Sequence, residues 1–172
     1  MNRHVPVQLL RILEHWFKLC HTSVRWNGQH SVFYKLNCGV RQGGVLSPYL
    51  FAIYIDDVIK KVIQCSVGCH FQQFCASIFL YADDILLLAP SVHYLQKLLY
   101  VVETELTWLD MAINPTKSCC LRFGPRYDKV CENICDSKGN YICWNDSCGY
   151  LGIYLKSFRN FKCTFENNKK AI

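Results

Sequence analysis

Two short apolar runs joined by a pair of carboxylates constrain this chain more than any other stretch. Ser77 to Pro90 reads SIFLYADDILLLAP, with Ile78, Phe79, Leu80 and Tyr81 before Asp83-Asp84 and Ile85, Leu86, Leu87 and Leu88 after them. Each run has strand length, and Ile78 and Tyr81 favour a sheet. Adjacent aspartates at the joint place a tight hairpin tip at the end of a buried sheet. Carboxylates that close repel, by roughly 4 kcal/mol at ~4 Å and an effective dielectric near 20. Such a pair calls for protons or divalent cations, and Mg²⁺ is the natural guest because it takes hard oxygen ligands and substrate phosphates together. The alternative is a surface turn that uses aspartate for its turn propensity.

Around this hairpin the chain alternates helical and strand patterns. Leu9, Leu10, Leu13, Trp16, Phe17 and Cys20 recur at helical spacing, predicting an amphipathic helix over about Val5 to Leu19 with its aromatic stripe facing a core. Asn27-Gly28 predicts a hairpin between strands at about Thr22–Trp26 and Ser31–Leu36, because a type I′ turn needs positive φ at both centre positions. Arg25, His30 and Lys35 give that hairpin a basic character, either a solvated face or a contact for a nucleic-acid backbone. Gly39, Gly43 and Gly44 cluster around Arg41 and Gln42, and Ser47-Pro48 then signals a helix start, serine as N-cap and proline at the first position. Leu50, Phe51, Tyr54, Ile55, Val58 and Val62 share one face of that helix.

Residues 64 to 73 predict an irregular connection or short hairpin turning at Gly68. Ser91 predicts the cap of another helix, with Leu95, Leu98, Leu99, Val102, Leu106 and Leu109 at 3.6-residue spacing, ending near Asp110 to Met111. Asn114-Pro115 closes it, and Lys117 lies just beyond. Later expectations are a strand at Cys119 to Phe123, a turn at Ser137 to Asn140, a strand over Gly149 to Leu155, and a basic helix beginning at Phe165.

Half of the 172 residues are hydrophobic (51%), enough for a real core, and the formal charge of +6 suits a polyanionic partner. His4, Pro6, Arg11 and Glu14 stand where a secretory signal would run apolar, and no stretch has the ~18 uncharged apolar residues of a membrane span. The twelve cysteines are scattered, so reduced thiols and an intracellular location, cytoplasmic or nuclear, are expected. Cys131, Cys135, Cys143 and Cys148 lack the compact C-x2-C pairing of zinc ribbons and fingers, leaving structural zinc the weaker alternative.

Four motifs in a fixed order sharpen the picture. They are Gly39-Val40-Arg41-Gln42-Gly43-Gly44-Val45-Leu46-Ser47-Pro48, Tyr81-Ala82-Asp83-Asp84, Asn114-Pro115-Thr116-Lys117, and Tyr150-Leu151-Gly152. In this order they resemble the reverse-transcriptase domain of non-LTR (LINE-type) retrotransposons, over roughly Val24 to Leu155. The resemblance implies an RNA-directed DNA polymerase using two Mg²⁺ ions, with Mn²⁺ a possible substitute, about 3.5–4 Å apart. It implies an RNA template, a DNA primer, deoxynucleoside triphosphates and the rest of a retroelement polyprotein as partners, and no membrane. By resemblance Asp83 and Asp84 are metal ligands, and Tyr81 lies near the incoming nucleotide or primer end. Arg41, Gln42, Gly43 and Ser47 belong to the nucleotide and template pocket. Lys117 matches the lysine proposed to protonate departing pyrophosphate, and the Leu151-Gly152 hairpin resembles a primer grip.

The implied fold is α+β: a partial polymerase palm over residues 1–124, its antiparallel sheet backed by helices, then the end of the palm and the start of a thumb over 125–172. One departure stands out. The family carries a third catalytic aspartate on a strand upstream of the glycine-rich loop, whereas the only acidic residue here before Asp56 is Glu14, in the first amphipathic helix. Asp56 and Asp57 fall nine and ten residues after Ser47, ~14 Å along the helix, too far from its start to substitute. The expectation is a fragment lacking that strand, with an open sheet edge, low solubility and little polymerase activity alone. The competing expectation is a retroelement remnant that binds nucleic acid without catalysis.

Overall fold

The computed structural model describes residues 5–39 and 42–164. The chain divides into two compact units, Met1–Leu50 and Phe51–Ile172.

In the first unit, α1 (Val7–Lys18) starts after Pro6, whose carbonyl accepts from the Leu10 amide at 3.1 Å. Proline suits this position because its fixed φ already fits a helix start. Glu14 and Lys18 form an exposed i,i+4 ion pair at 2.6 Å, the kind that contributes only tenths of a kcal/mol. No α1 residue is buried, so the expected core-facing stripe is corrected. The strands beside it are two residues long and offer no apolar layer. They are β1 (His21–Thr22), β2 (Arg25–Trp26), β3 (Gln29–His30) and β4 (Tyr34–Lys35), with β2 paired to β3 and β1 to β4. Asn27 (φ 46°) and Gly28 (φ 77°) form the expected turn. The two predicted strands are instead broken midway, where the Ser31 hydroxyl replaces a ladder carbonyl as acceptor for the Val24 amide at 2.9 Å.

The helix α2 (Ser47–Cys65) starts at Ser47 itself, one residue earlier than an N-cap there implies. In the second unit its Ile55, Val58 and Val62 meet Leu98, Val102 and Leu106 of α3 (Val92–Trp108) in a buried cluster. Burying each such side chain contributes roughly 1.5–3 kcal/mol. Between the helices run β5 (His70–Phe71), β6 (Phe74–Cys75), β7 (Ile78–Tyr81) and β8 (Asp84–Leu87), forming two antiparallel hairpins. The first turns at Gln72 (φ 54°) and Gln73, not at the expected Gly68. Gly68 is required for closeness: a β-carbon there would run into the Ser77 side chain and come within 3.1 Å of the Leu88 carbonyl oxygen. Ser91 caps α3 as expected, its hydroxyl accepting from the Tyr94 amide at 3.2 Å.

Beyond α3 the chain forms β9 (Cys119–Cys120), β10 (Ile134–Cys135), β11 (Tyr141–Trp144), β12 (Ser147–Tyr150), β13 (Ile153–Lys156) and β14 (Lys162–Thr164). The expected strand at Cys119 to Phe123 is therefore cut to two residues. β11 lies between β10, antiparallel, and β9, parallel, and their Ile134, Ile142 and Cys120 bury against Leu99 of α3. β12, β13 and β14 form an antiparallel meander. The strand expected over Gly149 to Leu155 folds back on itself at Leu151 (φ 48°) and Gly152 (φ 79°). Mixed helices and small, mainly antiparallel sheets agree with the α+β class, but among the described residues the sheets are separate two- and three-stranded pieces and not one continuous sheet. The helix expected from Phe165 lies outside the described residues. Among the described residues no helix is long and apolar enough to cross a membrane.

Candidate active site

The β7–β8 hairpin is built by alternation. Ile78 and Leu80 on β7, with Ile85 and Leu87 on β8, pack on the α2–α3 cluster, while Phe79, Tyr81 and Asp84 remain exposed. The register pairs Ile78 with Leu87, Leu80 with Ile85, and Tyr81 with Asp84, so the inward set is apolar across both strands. Ala82 and Asp83 make the two-residue turn, with Ala82 in left-handed backbone at φ 50°. Asp83 thus sits in the turn, Asp84 opens β8, and both carboxylates face solvent.

The base of the hairpin is fixed by buried polar groups. Ser77, 1% exposed, donates from its hydroxyl to the Cys69 carbonyl at 3.1 Å and accepts from the Cys75 thiol at 3.1 Å. Its carbonyl accepts from the Leu88 amide at 2.9 Å, and the Leu88 carbonyl accepts from the Cys69 amide at 3.1 Å. These bonds tie the hairpin to the preceding segment, so the two aspartates stand on a supported element.

Tyr150 opens the Tyr150-Leu151-Gly152 motif and ends β12. Burial, and after it the Asp84 carboxylate, push the Tyr150 phenol above its ordinary value. Leu151 and Gly152 form the turn that follows Tyr150, between β12 and β13.

The other candidates stand on other elements. Asn114 organises the loop after α3: its side-chain oxygen accepts from the Thr116 amide at 3.1 Å, the Thr116 hydroxyl at 2.7 Å and the Lys117 amide at 3.3 Å. Lys117 is exposed on that turn, and no ion pair joins it to Asp83 or Asp84. Gln42 and Gly43, the latter at φ 77° with open space around it, are exposed in the first unit, and Ser47 opens α2. Arg41 lies outside the described residues. On α2, Asp56 and Asp57 are both ion-paired with Lys60.

The donor set at the hairpin suits a hard cation in part. Asp83 and Asp84 supply adjacent, exposed carboxylate oxygens, and Mg²⁺ commonly uses one or two carboxylates with water and phosphate completing its shell. Among the described residues no group of three or more histidine, cysteine, aspartate or glutamate side chains is placed to hold a metal. All twelve cysteines are free. Burial pushes the thiols of Cys119 and Cys120 up to about 12 and about 11, which keeps both protonated and poor as ligands near neutrality.

Residues 3–155, most of the chain, match the family model described as reverse transcriptase (RNA-dependent DNA polymerase). No curated protein matches the chain.

Proposed function

The chain belongs to the reverse transcriptase (RNA-dependent DNA polymerase) family, and from that premise we propose that it is the polymerase domain of a non-LTR, LINE-type retrotransposon. The reaction is nucleotidyl transfer from a deoxynucleoside triphosphate to a primer 3′-OH on an RNA template. The observation that carries this reading is the supported tip bearing Asp83 and Asp84 at the turn of the β7–β8 hairpin.

In this reading Asp83 and Asp84 hold Mg²⁺, with Mn²⁺ able to replace it. When bound, such ions neutralise phosphate charge and favour the attacking and leaving oxygens of an in-line displacement. Tyr81 shares the exposed face of the hairpin with Asp84 and borders the nucleotide or primer end. Leu151 and Gly152 position the primer strand. Gln42, Gly43 and Ser47, with Arg41, border the template and nucleotide. Lys117 donates the proton that departing pyrophosphate needs. Residues 1–124 then correspond to part of the palm, and 125–172 to its end and the start of a thumb.

Two carboxylates carry less charge than a pair of divalent ions demands, so this chain alone is expected to polymerise weakly or not at all. Mn²⁺ titration in the presence of template–primer and nucleotide, read by electron paramagnetic resonance, tests the assignment alongside primer extension. Asp83→Asn with Asp84→Asn should lower Mn²⁺ affinity at least tenfold and remove any residual extension. Unchanged Mn²⁺ affinity in that variant overturns the site. Robust template-dependent extension by the native chain overturns the expectation of weak activity. The second reading, a non-catalytic nucleic-acid binder, predicts that the same double variant keeps or gains affinity for nucleic acid, since two negative charges are lost.

A further inference from the structure

Two segments of the second unit outside the carboxylate hairpin's own sequence, residues 122–129 and 156–162, assemble an aromatic and cationic face. Residues 122–129 are stapled to the end of the β12–β13–β14 meander. The Ser157 hydroxyl donates to the Arg122 carbonyl at 2.7 Å, the Gly124 amide donates to the Phe158 carbonyl at 3.1 Å, and Phe123 bridges to Phe158. The Arg122 guanidinium holds the loop closed by donating to the Lys129 carbonyl at 2.9 Å. The face is therefore ordered before any ligand arrives.

Its aromatic rings are paired. Phe161, 69% exposed, leans on Phe123 at 5.6 Å between centroids, and Phe158, 43% exposed, leans on Tyr127 at 5.4 Å. Each outer ring is thus supported from one side and open on another. The Lys162 ammonium lies 5.2 Å from the Phe158 centroid.

Charge is concentrated at the same place. Between them, residues 122–129 and 156–162 hold six cations and one carboxylate, Asp128, a local +5 in a chain whose total is +6. Asp146 adjoins the face, its carbonyl accepting from the Ser157 amide at 2.8 Å. The meander sets Lys156 directly opposite Lys162, a like-charge cross-strand pair that destabilises a sheet unless an anion lies between them. Exposed rings alone, or lysines alone, are ordinary surface. Supported rings interleaved with opposed lysines have the composition of a stacking platform beside a phosphate track.

We propose that this face is a second nucleic-acid site, which holds a short single strand with bases stacked on Phe158 and Phe161 and phosphates on Lys156, Arg159 and Lys162. A single strand fits and a duplex does not, because only unpaired bases offer their faces to the rings. The site uses neither Asp83 nor Asp84, so it stands whether or not the chain polymerises. Stacking makes it tolerant of sequence, and it would retain template or product strand independently of synthesis.

Fluorescence anisotropy with the full chain and a labelled single-stranded oligo(U), in chelator and without nucleotides, tests this without the metal site. Phe158→Ala with Phe161→Ala should weaken binding roughly tenfold or more, within the range found for losing stacked bases. Arg159→Gln with Lys162→Gln should weaken it similarly and flatten the dependence on salt by about 0.7 for each phosphate no longer neutralised. Phe161→Leu keeps apolar volume and loses the ring, so a several-fold loss in that variant, with an unchanged melting curve, separates stacking from unfolding. Because the assay runs in chelator and without nucleotides, its outcome does not depend on whether Asp83 and Asp84 hold a metal, which distinguishes failure of the polymerase assignment from failure of this one. The proposal is overturned if the aromatic variants bind within twofold of native. It is equally overturned if heparin or duplex binds as tightly as the single strand, or if the variants abolish self-association and spare oligonucleotide binding.

Discussion

The Asn27-Gly28 hairpin and the Ala82-Asp83 hairpin use the same device and are held by different means. Both reverse the chain in two residues, with left-handed backbone at the first position, φ 46° at Asn27 and φ 50° at Ala82. Every described residue of the first unit is exposed or only half-buried, including Trp26 at 81%. On the second hairpin, Ile78, Leu80, Ile85 and Leu87 enter the cluster made by α2 and α3. Turn chemistry suffices to reverse a chain, but keeping two repelling carboxylates in one place takes inward side chains and a core to receive them. The first hairpin has the turn without the core, and no comparable acidic pair stands on it.

The most direct way to break this contrast is to damage the core. Leu98→Ala removes a side chain with 0% exposure beneath the second hairpin and should cost about 3 kcal/mol in urea unfolding. Leu10→Ala, on α1 at 49% exposure, should cost less than ~0.5 kcal/mol. Equal costs would mean that α1 is packed as firmly as α3 in solution, and the two regions would no longer differ in kind.

A smaller effect is expected at the base of the hairpin. Gly68→Ala forces a β-carbon against Ser77, the buried residue that anchors β7, and should cost about 2 kcal/mol by overpacking. Because the shift is passed to β7, Mn²⁺ affinity at Asp83 and Asp84 should fall as well. A destabilised variant with native Mn²⁺ affinity would show that the tip does not depend on its base.

What the sequence made legible was local. Ser91 capping α3, the Asn27-Gly28 turn, and the apolar faces of α2 and α3 each follow from residues a few positions apart. The Asp83-Asp84 hairpin was legible for the same reason, since alternation and turn sit within ten residues. What failed was set at a distance. The α1 stripe has the period of a buried helix, but periodicity cannot tell whether a partner exists. Gly68 looked like a turn glycine and is instead a gap for Ser77, nine residues on. The influence of the Asp84 carboxylate on the Tyr150 phenol joins residues 66 positions apart and has no local signature.

A third turn sharpens the comparison by holding itself through polar groups. Asp136 closes the β10–β11 hairpin, its carboxylate accepting from the Lys138 amide at 2.9 Å, the Asn140 amide at 2.7 Å and the Asn140 side-chain amide at 2.8 Å. The Asn140 side-chain bond, with the backbone amides behind it, holds the Asp136 carboxyl below its ordinary value of 3.8. The unfolded chain therefore binds the proton more readily than the folded one. The stabilisation is present above the unfolded value and is lost as pH falls through the folded one. Melting temperatures followed below about pH 4 should drop for the native chain more steeply than for Asp136→Asn, and parallel curves would remove Asp136 from this role.

The smallest expected effect tests the turn device itself. A β-carbon added at Gly28 would meet nothing within 4 Å, so Gly28→Ala at φ 77° isolates the backbone cost of left-handed conformation, about 1 kcal/mol. It should appear as faster amide exchange in β2 and β3 with little change in global unfolding, because no core depends on that hairpin. Ala82→Gly is the reverse exchange on the supported hairpin. It relieves a similar cost at φ 50°, but glycine's greater freedom in the unfolded chain offsets most of it, so stability should change by less than ~0.5 kcal/mol. If Ala82→Gly instead stabilised the chain by a full kcal/mol while weakening Mn²⁺ binding, alanine at that turn would be holding the Asp83 carboxylate in place by strain, and packing from below would be only half of what positions the acidic tip.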